Sequence, residues 1–291
     1  MILSASRRYD IPAFFSEWME NRMREGFLLV ANPRNPKQVR RVDVSPDEVD
    51  AIVFWIKNPA PMLERLDVFR EYSYEFQFTL TPYGREIEPS LPPKEQVIIP
   101  SFLRLSDHVG IGRVIWRYDP ILVSDKYTED FHKDAFGQLA RILCGATDRV
   151  TISFIDTDYR GVKGNLDALG LSPIDDTARL RLAGKLARIA AEYHLIIDAC
   201  AESADLAAVG VEPAHCISAE RIEKLTGSPV RAAKAKGQRP ACGCLESIDI
   251  GAYNMCGNGC LYCYANYSPA RIGVNMRAHD PSSPLILGAA R

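Results

Sequence analysis

Short apolar runs and amphipathic stretches alternate along the chain up to about residue 220. Ile2–Ser6 reads as a strand and is followed by the polar Arg7-Arg8-Tyr9-Asp10. Phe14, Phe15, Trp18, Met19 and Met23 then recur at helical spacing, and Gly26 closes that helix. Phe27–Ala31 and Val39–Val44 read as strands. Ser45-Pro46-Asp47-Glu48 reads as a helix start, with a Ser cap, Pro in the first turn and acids favoured by the dipole. Ala51–Ile56 is a fully apolar strand that delivers Lys57-Asn58-Pro59, and a helix is expected over Met62–Tyr72. Tyr74–Leu80 alternates as a strand and runs into a Pro-rich loop reaching Pro93.

The same grammar continues. A helix is expected over Lys94–Val109, a strand over Arg113–Tyr118 ending in Asp119-Pro120, and a helix over Thr128–Cys144. Val150–Ile155 is a buried strand ending in Asp156-Thr157-Asp158. A helix over Asp176–Tyr193 precedes the strand Leu195–Ala199, which delivers Cys200-Ala201-Glu202. A short helix at Asp205–Val209 leads to His215-Cys216.

Alternating apolar strands and amphipathic helices predict an α/β fold with a parallel sheet covered on both faces. About seven or eight such units favour a (β/α) barrel, TIM-like and either complete or incomplete. The alternative is a doubly wound open sheet, but no Gly-x-Gly-x-x-Gly turn follows the first strand. Residues 1–237 are expected to form the barrel. Residues 238–291 are Cys- and Gly-rich with a Pro-Ser-Ser-Pro tail, and are expected to form a cluster-binding segment packed on it.

Composition narrows the class. The 291 residues are 47% hydrophobic and 25% charged, as in a globular protein with an ample core. A net charge of −2 gives no reason to expect a bulk nucleic-acid or membrane partner, although the short basic stretch around Lys234 leaves a nucleic-acid or peptide substrate open. No apolar run reaches the length of a membrane span. Eight cysteines are too sparse for a secreted disulfide scaffold, and five of them crowd into Cys242–Cys263. That distribution fits metal binding in a reducing cytoplasm.

Those five include Cys256, Cys260 and Cys263, spaced C-x₃-C-x₂-C on a loop with Gly257 and Gly259. Soft thiolates select zinc, copper(I) or iron–sulfur clusters. Three ligands leave one corner of a four-iron cluster free for a substrate or cofactor. A zinc knuckle that staples the C-terminus is the plainer alternative. Cys200, Cys216, Cys242 and Cys244 are candidates for a second cluster or zinc site, or else Cys200 and Cys216 are buried thiols. Cys144 is expected to be a small buried hydrophobe. His215 and His279 are candidates to lie near the site.

In a barrel, chemistry sits at the carboxyl ends of the strands. Arg7, Arg117, Asp119 and Glu202 are therefore candidate catalytic residues, in a set that also holds Lys57, Asn58 and Asp156. Arginines beside carboxylates suit a zwitterionic or carboxylate-bearing ligand, since a guanidinium grips a carboxylate bidentately.

Cys256–Cys263, with Tyr262 just before the last cysteine, resembles the cluster loop of radical S-adenosylmethionine enzymes. The resemblance implies a four-iron cluster on Cys256, Cys260 and Cys263, with S-adenosylmethionine chelated by the free iron and Tyr262 and Asn258 lying by the cofactor. It also implies a 5′-deoxyadenosyl radical and a reductant such as flavodoxin or ferredoxin. Two features depart from that pattern. The loop follows the last strand instead of the first, and no Gly-Gly-Glu signature is present, so Glu202 or Asp119 would have to replace it. Nearly the full length resembles domain of unknown function 1848, through Ser-Ala-Ser-Arg-Arg, Phe-Trp-Ile-Lys-Asn-Pro, Trp-Arg-Tyr-Asp-Pro and Gly-Cys-Leu-Tyr-Cys-Tyr-Ala. Three readings follow: a radical enzyme of unknown substrate, an electron-transfer or sensor protein, and a hydrolase or isomerase using Asp119, Asp156 and Glu202 beside a structural zinc.

Overall fold

The computed structural model describes residues 1–288 except 34, 173, 203 and 240. In chain order the elements are β1 (Ile2–Ala5), α1 (Ile11–Phe14), α2 (Ser16–Glu25), β2 (Phe27–Asn32), β3 (Asn35–Asp43), β4 (Ala51–Ile56) and β5 (Tyr74–Thr79). Next come α3 (Ile99–Val109), β6 (Val114–Ile121), α4 (Glu129–Leu143), β7 (Arg149–Phe154), α5 (Arg160–Lys163), α6 (Leu166–Leu169) and α7 (Asp176–Glu192). The chain ends with β8 (Ile196–Ala199), β9 (Glu212–Pro213), α8 (Ala219–Thr226), β10 (Ile248–Asp249) and α9 (Pro269–Arg277). This is a mixed α/β fold built on an eight-stranded parallel sheet in the order β10-β1-β4-β5-β6-β7-β8-β9. β2 and β3 form a separate antiparallel pair.

The two end strands of the sheet, β9 and β10, are two residues each. Among the described residues no ladder joins them. The Leu245 N–H donates to the Ile217 carbonyl at 3.0 Å, linking the segments beside them.

The period-2 alternation of strands sorts residues between two faces. Leu3, Ile52, Phe54, Phe76, Trp116 and Tyr118 face the helices in the main core. Trp116 stacks on Phe136 of α4 with ring centroids 4.9 Å apart. Ile2, Ala51 and Val53 point the other way, into a smaller cluster with Cys216 and Cys244. Further along that face the residues turn polar. Glu75 pairs with Arg221, and Gln77 accepts a hydrogen bond from Arg117 at 3.1 Å. This face of the sheet thus mixes apolar with buried polar side chains, Val53 standing opposite both Ser4 and Glu75.

Local chemistry sets the helix ends. Gly26, at φ 74°, ends α2 with its N–H on the Arg22 carbonyl. The Thr128 hydroxyl caps α4, and the Asp175 carboxylate caps α7 through the Ala178 N–H at 2.8 Å.

Several sequence expectations change. Ser45–Glu48 does not open a helix, because β4 begins at Ala51 and leaves room only for a turn. The helix expected over Met62–Tyr72 is a 3₁₀ segment, Ala60–Phe69, entered through Pro59 and Pro61. The helix expected from Lys94 begins as a π-turn, Lys94–Ile98, before α3. Cys144 is exposed and not a buried hydrophobe, because α4 ends at Leu143 and Cys144 leaves in an extended conformation. No helix among the described residues is long and apolar enough to cross a membrane.

Residues beyond 237 join the sheet. β10 pairs with β1 in parallel, Leu3 opposite Ile248 and Ser4 opposite Asp249. The chain after α9 packs on α2, where Trp18 Nε1 donates to the Ser283 carbonyl at 2.8 Å and Arg22 to the Ser282 carbonyl at 3.1 Å.

Candidate functional site

Parallel pairing puts the ends of β1, β4, β6, β7, β8 and β10 on one side of the sheet, and a cavity of ≈ 320 Å³ opens there. Arg7, Arg117, Asp119, Asn258 and Tyr262 line it, together with Cys256, Cys260 and Cys263. Cys200, Cys216, Cys242 and Cys244 line the same cavity. Twelve of the thirteen residues singled out by sequence thus line one cavity, and Glu202 does not.

The cysteine loop is placed by its attachment to β1. Asp249, at the end of β10, accepts hydrogen bonds from Ser4 Oγ, Ser6 Oγ, the Arg7 N–H, Arg8 Nη1 and the Gly251 N–H, at 2.7 to 3.1 Å. The loop following β10 is thereby fixed beside the turn following β1. Asn266 does the corresponding work inside the loop. Its Oδ1 accepts from the Met255 and Cys256 N–H groups at 2.9 Å each, and its Nδ2 donates to the Arg8 carbonyl at 2.7 Å and to Cys263 Sγ at 3.3 Å. Asn254, at φ 55°, accepts from the Tyr267 and Ser268 N–H groups at 3.0 Å. Gly259 takes φ 69°, the left-handed turn that brings the chain back to Cys260.

Cys256 and Cys260 are buried and Cys263 is half-buried. Burial pushes the Cys256 thiol well up, against a lowering contribution from the Asn258 N–H. Burial also pushes Cys260 up to about 12, with Lys57 opposing it. Ionising these thiols therefore calls for positive charge. Lys57 supplies some of it. Burial works against its ammonium, but Glu88 and Cys260 outweigh that and raise its pKa. Glu88 is buried and accepts from Lys57 Nζ at 2.8 Å, from Thr81 Oγ1 at 2.9 Å, and from Lys94 and the Tyr262 hydroxyl. Burial would raise its pKa, yet Lys57 and Lys94 hold it down at about 2. The Tyr262 hydroxyl is thus committed to Glu88, while its ring lies 5.2 Å from Lys57 Nζ and lines the cavity.

Asp10 adds a buried carboxyl to this side. It accepts from the Lys57 N–H at 2.7 Å and the Asn58 and Ala13 N–H groups at 3.0 Å. Burial nonetheless raises its pKa to about 6.

The cavity lining also holds arginines. Two guanidiniums approach the Trp55 ring, Arg7 at 5.1 Å and Arg117 at 5.3 Å from its centre. Arg117 is buried and fully engaged: it donates to Asp119, to Gln77 Oε1 at 3.1 Å and to Cys216 Sγ at 3.0 Å. Asp119 also accepts from Ser153 Oγ. Arg7 makes one long contact with Ser247 Oγ at 3.5 Å, and its Nη2 is buried without a partner. Cys200 and Cys216 have sulfurs 3.3 Å apart. Hydrogen bonds from Cys200 and Cys244, with Arg117 beyond, hold Cys216 low, while the same pairing and burial raise Cys200.

Glu202 serves elsewhere. Its Oε1 accepts the Phe154 N–H at 2.8 Å and Arg179 approaches its other oxygen at 3.9 Å, so it secures the end of β7. His215 and His279 do not line the cavity. His279 packs against the Phe15 ring at 4.6 Å and bonds the Ile286 carbonyl through Nδ1.

Sequence reading missed Asp249, Asn266, Glu88 and Arg239. Glu88 lay in the Pro-rich loop, where a long irregular connection is itself a signal of function. Asn266 follows the last cysteine by three residues without any pattern to mark it.

The donor chemistry of Cys256, Cys260 and Cys263 fits a four-iron cluster: three soft thiols line one cavity, the Lys57 charge acts on Cys260, and the Asn266 amide donates to Cys263 Sγ. As the side chains stand, no three His, Cys, Asp or Glu residues among those described are disposed to hold a single metal ion.

A search of curated proteins finds no match. Weak structural likenesses exist to dihydropyrimidinase from Brevibacillus agri NCHU1002, at 12% identity and TM-score 0.31 over 67% of this chain and 38% of that one. Two structures of the pneumococcal exo-β-D-N-acetylglucosaminidase StrH are similar at the same level. One has 11% identity and TM-score 0.27 over 69% of this chain and 53% of that one. The other has 10% identity and TM-score 0.29 over 91% and 82%. The chain spans less than two thirds of the first two, and likeness this low carries no argument about function. Residues 2–265 match the family described as domain of unknown function DUF1848, and the chain belongs to that family.

Proposed function

We propose that this protein is an iron–sulfur enzyme resembling radical S-adenosylmethionine enzymes, with a four-iron cluster held by Cys256, Cys260 and Cys263. One observation carries the reading: the three cysteines of the loop and the strand-end side chains Arg7, Arg117 and Asp119 line one cavity. We read the sheet as a (β/α) barrel whose seam lies between β9 and β10, with the segment after residue 237 closing its mouth. A cluster and S-adenosylmethionine bound there would supply, on one-electron reduction, a 5′-deoxyadenosyl radical to that cavity.

The residues of this chain have definable tasks in such a site. Lys57, beside Cys260, offsets thiolate charge while Glu88 keeps the ammonium in place. Asn266 fixes the loop's backbone and donates to Cys263 Sγ. Asn258 and Tyr262 present the loop's edge to the cofactor. In the same cavity, Arg7 offers its unpartnered Nη2 to a substrate carboxylate, and Trp55 offers the substrate a flat apolar surface. Asp119, held by Arg117 and Ser153, is a fixed acceptor for a substrate ammonium or hydroxyl. We place the protein in the cytoplasm, reduced by a flavodoxin or ferredoxin, with no membrane partner.

The test is iron and sulfide quantification on anaerobically reconstituted protein, followed by electron paramagnetic resonance of the reduced cluster. The expected result is about four irons and four sulfides per loop site and a spectrum that shifts when S-adenosylmethionine is added. Zinc without sulfide, or a spectrum indifferent to the cofactor, would remove the reading.

A further inference from the structure

The seam of the sheet concentrates sulfur. Cys200 directly follows β8, Cys216 lies shortly after β9, and Cys242 and Cys244 precede β10. Cys216 and Cys244 are buried in one apolar cluster, with Cys200 and Cys242 packed against it. A role as small hydrophobes explains their burial but not their company. Cys200 and Cys216 Sγ are 3.3 Å apart, Arg117 Nη1 donates to Cys216 Sγ at 3.0 Å, and Arg239 Nη2 reaches Cys200 Sγ at 3.9 Å. Guanidiniums aimed at sulfur in an apolar pocket match thiolate charge, since a neutral thiol is a weak acceptor that gives little back for desolvating an arginine.

We propose that Cys200, Cys216, Cys242 and Cys244 form a second thiolate centre that binds a soft metal, either a zinc ion or the iron of a cluster, and clamps the seam between β9 and β10. Four thiolates around a divalent ion leave an excess of negative charge, which Arg117 and Arg239 offset. Thiolate donors select zinc or iron over magnesium or calcium. The sulfurs do not yet converge on one point among the described residues. Metal entry therefore has to draw in Cys242 and close Cys244, which already bonds Cys216, onto the Cys200–Cys216 pair. The centre then does structural work that two-residue strands cannot do alone: it ties three chain segments where, among the described residues, no ladder joins β9 to β10.

This inference does not rest on the Cys256–Cys263 loop, and the experiment separates the two. The variant Cys256→Ala/Cys260→Ala/Cys263→Ala, purified anaerobically, should retain bound zinc, or iron with sulfide, and elemental analysis tells which. Zinc should show sulfur neighbours at about 2.3 Å by X-ray absorption. Adding Cys216→Ser and Cys244→Ser should release it. Wild-type protein provides a readout that needs no folded variant: all four thiols should resist alkylation until a strong chelator is added, and then label together. A metal-free triple variant with wild-type alkylation indifferent to chelator would overturn the proposal, as would a Cys200–Cys216 disulfide found by mass spectrometry in the protein as purified.

Discussion

Arg8 and Asp249 are 241 residues apart in the chain and joined by a 2.7 Å ion pair. Both side chains are mostly buried, at 19% and 12% exposure, so the pair is poorly screened. Asp249 also accepts from Ser4, Ser6, Arg7 and Gly251, which makes it the fastening between the first strand and the cysteine loop. Asp249→Ala leaves Arg8 and two buried hydroxyls without their acceptor. We expect a loss of about 3 kcal/mol. Urea unfolding checks this, and an unchanged midpoint would mean that the loop is held by other contacts.

Asn266 should matter for the cluster more than for the fold. Its amide bridges Cys256, Cys263 and Arg8, and outer-shell partners of this kind change metal affinity by about 10- to 100-fold. In Asn266→Ala, iron release to a chelator should accelerate by that order. Wild-type kinetics in the variant would argue against the assigned role.

Glu88 gives a pH dependence with a definite sign. Its folded pKa of about 2 lies below the ordinary 4.5, so the unfolded chain binds the proton more tightly. The stabilisation is present above pH 4.5 and is lost as pH falls toward 2. The full span corresponds to about 3 kcal/mol. Urea stability should therefore fall more steeply with acid in wild type than in Glu88→Gln. Parallel acid limbs would show that the Lys57–Glu88–Lys94 network does not carry this charge.

Gly259 tests the loop's backbone. At φ 69° a side chain costs about 1–2 kcal/mol, and a Cβ there would also stand 3.2 Å from Pro89 Cγ. Gly259→Ala should lower the unfolding midpoint and the iron bound per chain together. A variant with full iron content would show that the turn tolerates another conformation.

Much of the sheet was legible in the residues because buried parallel strands read as unbroken apolar runs, as Ala51–Ile56 does. The alternation at Tyr74–Thr79 marked a strand as well, although not that Gln77 would meet Arg117. β9 and β10 escaped because two residues have no period to detect. The 3₁₀ segment Ala60–Phe69 presents Met62, Leu66 and Phe69 at spacings that serve an α-helix equally well. At the site, strand-end placement was enough to find Arg7, Arg117 and Asp119. It failed for Glu202, which lies two residues beyond Cys200 and turns to the Phe154 N–H instead of the cavity. Asp249 and Glu88 act through partners distant in sequence, and no local pattern announces that.

The central claim is that the Cys256–Cys263 loop supports radical chemistry. It is tested most directly by incubating anaerobically reconstituted, dithionite-reduced protein with S-adenosylmethionine and quantifying 5′-deoxyadenosine. The account predicts 5′-deoxyadenosine from wild type and none from Cys260→Ala. An intact four-iron cluster in wild type that yields no 5′-deoxyadenosine would contradict it.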